Sequence, residues 1–161
     1  MYYGFNENQL DNDMNNIYKN LTKQNATKLI FDCNQIATRK GTNLIEVNGF
    51  KVKNNFTFSV AKDHNIYFIF NENFECEYVG KAMDNKINES LNYHLIKNNT
   101  NGRASAIDEV CNYLNGINGN RGIIYLITFE IQPLCMVAAV ESYFIEKFKN
   151  LGLCNWRKRT S

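Results

Sequence analysis

Two tyrosines, eleven positions apart, are the residues of this chain whose type and spacing best suit hydrolytic chemistry. Tyr67 lies in the run "NIYFIF" and Tyr78 in the run "EYVGKA". Gly80 permits a close approach to the backbone or an unusual turn, and Lys81 would place a cation beside Tyr78. A cation next to a phenol favours the phenolate or a bound phosphate. The alternative is that both tyrosines only pack in an aromatic hairpin, since tyrosine is common in strands.

A glutamate falls within the apolar stripe that the sequence predicts for the C-terminal helix. Glu141 stands among residues that recur at helical spacing, which are Leu134, Val137, Ala138, Ile145 and Phe148. A buried carboxylate is costly unless it is paired, hydrogen-bonded or bound to a metal. Two interpretations stay open, namely a glutamate at the edge of the stripe that pairs with Lys or Arg, and a metal ligand.

The surrounding pattern predicts a small α+β domain that would position these side chains. Phe74, Cys76 and Tyr78 alternate with two glutamates, which predicts a strand with one apolar face. The predicted elements are strands at 65–70, 74–79 and 123–131, which would form a central three-stranded mixed or antiparallel sheet, and flanking helices at 86–97, 103–116 and 133–150.

The first 63 residues predict an extension that precedes this domain, which would span residues 64–161. The extension contains an amphipathic helix at 7–23, and Asn48-Gly49 between two alternating runs predicts a β-hairpin. The segment 27–38, "TKLIFDCNQIAT", suits either a helix or a strand, and we favour a helix.

Composition excludes several classes of protein. The 161 residues carry a net charge of +2, which neither requires nor excludes a nucleic-acid partner. The five cysteines are scattered without a CxxC pair, which predicts reduced thiols and makes a zinc site improbable. No apolar stretch is long enough to span a membrane and the N-terminus has no signal-peptide pattern, so we expect a cytoplasmic protein.

Four separate features together resemble the GIY-YIG nuclease family. They are the segments Asn65–Tyr67 and Tyr78–Gly80, a glutamate on a later helix at Glu141, and Asn155 beyond that helix. Their order matches the family from about residue 64 to 157, which is more than half of the chain. The short enzymes of the restriction and phage endonuclease II type are the most similar in scale.

The chain departs from the family pattern at three positions. Asn65 stands in place of the first glycine, and valine replaces isoleucine in the second motif. Ser90 stands where the family has an arginine on the helix after the second motif. We favour Arg103 as its replacement, while Lys81 or Lys86 could substitute in part. The third alternative is that the arginine is absent and the protein cuts poorly or not at all.

The resemblance implies metal-dependent hydrolysis of phosphodiester bonds in double-stranded DNA. Glu141 would hold Mg²⁺ or Mn²⁺ together with water molecules, and the metal would act as Lewis acid. Tyr67 would be the general base, and Lys81 together with an arginine could lower its pKa from the ordinary value near 10. Tyr78 would orient the water or the scissile phosphate.

Three further residues acquire roles from the same resemblance. Arg103 would bind the phosphate through two parallel hydrogen bonds. His94 would contact phosphate or assist proton transfer, although a lone histidine is more often structural. Asn155 would brace the site by hydrogen bonds.

The sequence leaves alternatives open for substrate recognition and for assembly. The extension could read DNA, form a dimer or complete the core. The basic tail suits phosphate contact and equally suits a solvated terminus; it comprises Arg157, Lys158 and Arg159. Cleavage of both strands by a one-site domain implies a homodimer or higher homo-oligomer, or sequential nicking.

Two other hypotheses remain: a catalytically inactive member of the same fold that binds DNA or protein, and an unrelated α+β binding protein.

Overall fold

The computed structural model describes residues 1–5, 10–32, 43–53, 56–96 and 121–150. Within these ranges the chain forms seven strands and three α-helices. The strands are β1 (Tyr2–Gly4), β2 (Thr27–Asp32), β3 (Asn43–Val47), β4 (Phe50–Lys51), β5 (Ile66–Phe70), β6 (Cys76–Lys81) and β7 (Arg121–Gln132). The helices are α1 (Leu10–Lys19), α2 (Ile87–Leu95) and α3 (Val137–Asn150).

A single sheet organises the fold, and its strand order is β4-β3-β2-β7-β5-β6. The twelve-residue β7 is rich in β-branched and aromatic residues, which favour strands, and it pairs antiparallel with both β2 and β5. β1 pairs parallel with the end of β7. Because β7 is longer than its neighbours, it joins the N-terminal strands to the motif-bearing strands in one layer.

Side chains alternate across the sheet and supply a core on each face. On one face, which we call the α2 face, Leu29, Phe31, Tyr67, Ile69 and Leu126 pack with Ile87, Leu91 and Leu95 of α2. On the other, the α1/α3 face, Ile66, Phe68 and Phe129 pack with Met14 and Ile17 of α1 and with Val140, Phe144 and Phe148 of α3. The sheet is therefore the middle layer of three.

The α+β class and the hairpin at Asn48-Gly49 are confirmed, whereas two details of the predicted architecture are wrong. The sheet has seven strands rather than three, because the first 63 residues contribute β1 to β4 to the same sheet. Residues 27–32 form a strand rather than a helix, since β2 is hydrogen-bonded to β3 on one side and to β7 on the other. These pairings connect residues far apart in sequence.

Helix boundaries differ modestly from the predictions. The N-terminal helix is α1 at Leu10–Lys19, and a turn of 3₁₀ helix at Leu134–Met136 precedes α3. The helix predicted at 103–116 lies outside the described residues. None of the helices in the described ranges is both long and apolar enough to cross a membrane.

Candidate active site

Tyr67 and Tyr78 lie on adjacent strands and on the same face of the sheet. In the β5–β6 ladder Tyr67 is opposite Gly80, and Ile69 is opposite Tyr78. The two tyrosines are thus diagonal neighbours on the α2 face, and their ring centroids are 5.7 Å apart. The two motifs therefore bring their tyrosines into contact.

A β-bulge directs Tyr78 to this face. The register shifts between Ile69 and Phe70, so that Cys76 is opposite Phe70 and Tyr78 is opposite Ile69. The sequence predicted that Cys76 and Tyr78 share an apolar face, and this is wrong because the extra residue reverses the alternation. Cys76 packs in the α1/α3 core, whereas Tyr78 packs against the α2 core.

Gly80 lies directly under the ring of Tyr67. A Cβ added at Gly80 would be 2.8 Å from Cε1 of Tyr78 and even closer to Cζ of Tyr67. Glycine is the residue that leaves room for another group to approach the backbone of a strand this closely. The close approach that the sequence predicted at Gly80 is confirmed, and the approaching group is the ring of Tyr67.

His94 completes a cluster of three rings. It lies in the last turn of α2, and its centroid is 5.2 Å from that of Tyr78 and 6.2 Å from that of Tyr67. Tyr67 is only 1% exposed, whereas Tyr78 and His94 are half-buried. In this aromatic cluster Tyr67 is the buried member, and Tyr78 and His94 are the members that face solvent.

A cavity of about 530 Å³ runs along α2 beside the aromatic cluster. Ser90 is one helical turn before His94, so both side chains lie on the same side of the helix. The cavity is lined by Lys86, Glu89, Ser90, Asn92, Tyr93 and His94. Ser90, where the resemblance would place an arginine, therefore lines the same cavity as His94 of the aromatic cluster.

Glu141 lies at the edge of the buried stripe of α3. Val137 and Ile145, one turn on either side, are both buried, while Glu141 itself is half-buried. The stripe differs from the predicted one, since Leu134 and Ala138 are exposed. α3 packs on β6, the strand that carries Tyr78 and Gly80, but does so from the α1/α3 face.

The metal that the resemblance implies would have Glu141 as its protein ligand, and this stays a prediction. Mg²⁺ retains several water ligands and needs as few as one protein carboxylate, so a carboxylate with one side open to solvent is suitable. Among the described residues no group of three or more His, Cys, Asp or Glu side chains could hold a metal ion. The helix that carries Glu141 packs on the sheet from the face opposite the aromatic cluster, so the structure does not group Glu141 with the two tyrosines on one face, and its role as the ligand of Mg²⁺ or Mn²⁺ stays a prediction.

The prediction that Lys81 places a cation beside Tyr78 is wrong. Lys81 is opposite Ile66 in the ladder, and residues that face each other across antiparallel strands share a side of the sheet. Ile66 belongs to the α1/α3 core, so the exposed Lys81 projects away from both tyrosines. Lys81 is therefore not a member of the aromatic cluster.

Asn65, which stands in place of the family's glycine, has a structural role. Its side-chain amide donates to the carbonyl oxygen of Ile131 at 3.0 Å, and its Oδ1 accepts from the Ile131 N–H at 2.9 Å. Its own backbone N–H donates to the carbonyl oxygen of Phe129. The side chain, 3% exposed, therefore continues the β5–β7 ladder beyond the end of β5.

One histidine next to the site was missed by the sequence reasoning. His64 Nδ1 is 2.6 Å from the hydroxyl oxygen of Thr128, and Thr128 is opposite Tyr67 in the ladder. Burial lowers the pKa of His64, as does the nearby N-terminal amine, while Asp63 and Glu130 act in the opposite direction. Its spacing of three residues before Tyr67 was the available signal.

Five of the predicted site residues lie outside the described residues. They are the phosphate-binding candidate Arg103, the bracing candidate Asn155 and the basic tail of Arg157, Lys158 and Arg159. Their roles stay predictions.

A comparison of the chain with protein-family models, with curated proteins and with solved structures found no match. The resemblance to the GIY-YIG family therefore stays a prediction.

Proposed function

We propose that the protein is a metal-dependent endonuclease that hydrolyses phosphodiester bonds in double-stranded DNA. The observation that carries this proposal is the aromatic cluster: two motif tyrosines and a histidine are in ring contact, and Gly80 leaves the space that the rings of the two tyrosines occupy. Hydroxyl and imidazole groups are donors and acceptors suited to a phosphate and to an attacking water. The cavity that His94 lines offers room for the DNA backbone.

The exposure of the three rings suggests which of them contact the substrate and which one only positions the others. A general base must come within hydrogen-bond distance of the water whose proton it takes. Because Tyr67 is buried, we assign contact with the water and the phosphate to Tyr78 and His94, which face solvent. Tyr67 then acts as a positioning residue that holds Tyr78. This assignment differs from the one that the resemblance implies, in which Tyr67 is the base.

Glu141 would bind Mg²⁺ or Mn²⁺, which when present supplies Lewis-acid stabilisation of the charge that develops on the phosphate oxygens. Lys86, at the start of α2, adds a positive charge to the cavity for an approaching phosphate.

Assembly and location follow from the same proposal. Cleavage of both strands by one site per chain requires two protomers or two successive nicks, and we propose a homodimer or higher homo-oligomer. A DNA substrate and the exposed free thiol of Cys135 suit the cytoplasm, where thiols stay reduced.

The test is cleavage of supercoiled plasmid DNA, methylated and unmethylated, with Mg²⁺ or Mn²⁺. We expect Tyr78→Phe and His94→Ala to lower the cleavage rate about a hundred-fold or more, and Glu141→Ala to abolish it. Tyr67→Phe should lower it less than Tyr78→Phe does. The reverse order would return the role of base to Tyr67.

Two matched variants serve as controls. Tyr125→Phe removes a tyrosine hydroxyl on the opposite face of the sheet, and Glu146→Ala removes an exposed carboxylate on α3. Both should cleave like the wild type. Absence of nicking by the wild type on every DNA and metal tried would refute the nuclease proposal.

A second candidate function is a catalytically inactive DNA-binding module of the same fold. Two observations favour it: Ser90 occupies the position of the arginine, and Lys81 points away from the tyrosines. Binding of duplex DNA by the wild type without any nicking, unaffected by Tyr78→Phe, would select this alternative.

A further inference from the structure

His64 and Thr128 combine a base with a hydroxyl group outside the aromatic cluster. Nδ1 of His64 is 2.6 Å from the hydroxyl oxygen of Thr128, which is at the short end of the hydrogen-bond range. When the imidazole carries its proton on Nε2, Nδ1 accepts from this hydroxyl. A hydroxyl within hydrogen-bond distance of a neutral imidazole is one way in which proteins activate a weak oxygen nucleophile. The same contact also occurs as a structural hydrogen bond, so its surroundings decide between the two.

Thr128 lies at a gap in the pairing along one edge of β7. β2 pairs with this edge as far as Leu126, and β1 pairs with it from Glu130 onward, so neither ladder gives Thr128 a partner residue among the described residues. The carbonyl oxygen of Phe129 accepts from Asn65 on the β5 side. Successive residues of a strand direct their backbone groups to alternate edges. The N–H of Thr128 therefore faces the gap between β1 and β2.

A cavity of about 390 Å³ opens at this gap. It is lined by Met1, Gln24, Asn25, Thr27, Val60, Leu126 and Thr128. Met1 directly precedes β1 and Thr27 is the first residue of β2, which places the cavity where the two strands leave the edge of β7 free. The lining combines two hydroxyls and two carboxamides with apolar side chains, and none of the described residues in it has a charged side chain. Its volume is within the range of sites that hold small molecules.

The backbone holds His64 in place beside Thr128. The His64 N–H donates to the carbonyl oxygen of Ala61 at 3.0 Å, and the next residue is Asn65, whose amide continues the ladder with β7. Burial lowers the pKa of His64 most, the N-terminal amine lowers it further, and Asp63 and Glu130 raise it. Because a histidine of lowered pKa is neutral at pH 7, the imidazole is free to take a proton from the hydroxyl.

We propose that Thr128 is the nucleophile of a second active site, in which His64 is the general base and the substrate is a small uncharged carboxylic ester. Charged substrates are disfavoured, because the described side chains of the cavity offer no opposite charge to a group that loses its water. The Thr128 N–H faces the gap and is a suitable donor to the oxyanion that forms when a carbonyl is attacked. The inference goes beyond the nuclease proposal and does not depend on it.

The reaction needs no group beyond the pair, the ester and water. The hydroxyl oxygen of Thr128 bonds to the carbonyl carbon of the ester while its proton moves to Nδ1 of His64. The bond from that carbon to the alcohol oxygen then breaks, and the alcohol leaves with the proton from His64. Water attacks the acyl-threonine, gives a proton to His64, and releases the carboxylic acid and the restored hydroxyl of Thr128.

The experiment follows hydrolysis of p-nitrophenyl acetate and p-nitrophenyl butyrate in EDTA, where the proposed nuclease is inactive. Samples quenched in acid are digested, and mass spectrometry locates the acyl group on the chain. We expect an acyl group on Thr128 in the wild type. Thr128→Val keeps the shape of the side chain without the hydroxyl, and it should lower the rate about a hundred-fold or more, as should His64→Gln. Thr128→Ser should restore both the activity and the acylation.

Two controls distinguish the proposed site from general reactivity. Thr57→Ala removes an exposed threonine hydroxyl outside the cavity and should hydrolyse both esters like the wild type. After subtraction of spontaneous hydrolysis, the wild-type rate should be level above about pH 6.5 and fall below it, because only the neutral imidazole accepts the proton and burial lowers the pKa of His64. A purely structural contact between His64 and Thr128 would give no such profile.

Each outcome supports or overturns the inference. Acylation of Thr128 that requires His64 supports it, whether or not the protein nicks DNA. Equal hydrolysis by Thr128→Val overturns it, as do acyl groups found only on other residues. A wild-type rate no greater than spontaneous hydrolysis with both esters also overturns it. If Thr128→Val fails to fold, loss of hydrolysis in a folded Thr128→Ser overturns the assignment, since serine keeps the hydroxyl.

Discussion

Replacing Gly80 by alanine tests the packing on which the candidate site depends. The new methyl group would overlap the Tyr67 ring and lie 2.8 Å from Cε1 of Tyr78. Tyr67 is 1% exposed and cannot swing into solvent, so the backbone or both rings must shift. Overpacking of a well-filled core typically costs about 1–3 kcal/mol, and we expect the upper part of that range.

An opposing contribution reduces this cost. Alanine loses less backbone entropy than glycine on folding, which favours the variant by about 0.5–1 kcal/mol in a strand. The expected net loss for Gly80→Ala is therefore about 2 kcal/mol in the free energy of unfolding. A domain of this size, with a total stability of about 5–15 kcal/mol, should remain folded.

The assay is urea denaturation of four proteins in a double-mutant cycle: wild type, Gly80→Ala, Tyr67→Leu and the double variant. Leucine removes the ring atoms that alanine would meet. The double variant should therefore lose about 1–2 kcal/mol less unfolding free energy than the sum of the two single losses. Losses that add within about 0.5 kcal/mol would refute the reasoning. Gly4→Ala is the matched control, because its methyl group meets only the end of the exposed Tyr2 side chain.

Three further predictions concern residues around the site. Asn65→Ala should lower the free energy of unfolding by about 2–4 kcal/mol in urea denaturation, because it leaves the N–H and C=O of Ile131 unpaired in the core. Ser90→Arg should raise plasmid cleavage about ten-fold or more, since the guanidinium would supply a phosphate ligand one turn from His94. Burial holds the pKa of His64 in the folded protein below its unfolded value of about 6.5. As the pH falls below that value, the unfolded state therefore binds more protons than the folded state does. The stability that His64 contributes is complete above about pH 6.5 and is lost as pH falls below it, which melting temperatures against pH should show.

Each of these predictions has its own control. Asn88 makes the same paired hydrogen bonds to the backbone of Val60, at 2.8 Å each, but is half-buried, so Asn88→Ala should cost less than Asn65→Ala. Ser142→Arg adds the same charge on an exposed part of α3, and equal stimulation by it would contradict the role of the Ser90 position. His64→Gln should remove the part of the loss that begins near about pH 6.5 and leave the loss due to carboxylates at lower pH; an unchanged loss near about pH 6.5 would contradict the assignment. His94 is the only other histidine of the chain, which makes the two titrations easy to separate by NMR.

The elements whose signals are local were predicted well. Positive φ angles at Asn48 and Gly49 follow from the turn chemistry of an Asn-Gly pair, and the hairpin was correctly predicted. α2 and α3 were predicted within a few residues, because helical periodicity and the proline before α3 act over neighbouring positions. The pairing of the two motif strands as a hairpin was predicted from the same local signals, whereas the contact between their tyrosines also required the bulge in that ladder.

The errors concern properties set by distant partners. Residues 27–32 suit a helix or a strand, and the choice was made by β3 and β7, which hydrogen-bond them on both sides. Asn65 looked like a mild departure from a motif, yet its amide continues the ladder with Ile131, sixty-six residues away. Neither role leaves a pattern in the neighbouring sequence.

By itself, the sequence determined that two aromatic strands with a tyrosine each would form a hairpin, because turn residues and period-two alternation act locally. The tertiary structure decided which faces the side chains occupy. A bulge turned Tyr78 toward Tyr67, and strict alternation sent Lys81 to the opposite face. A single extra residue in a strand reverses every side chain beyond it, and whether that residue is accommodated depends on how β6 pairs with β5 and packs between α2 and α3.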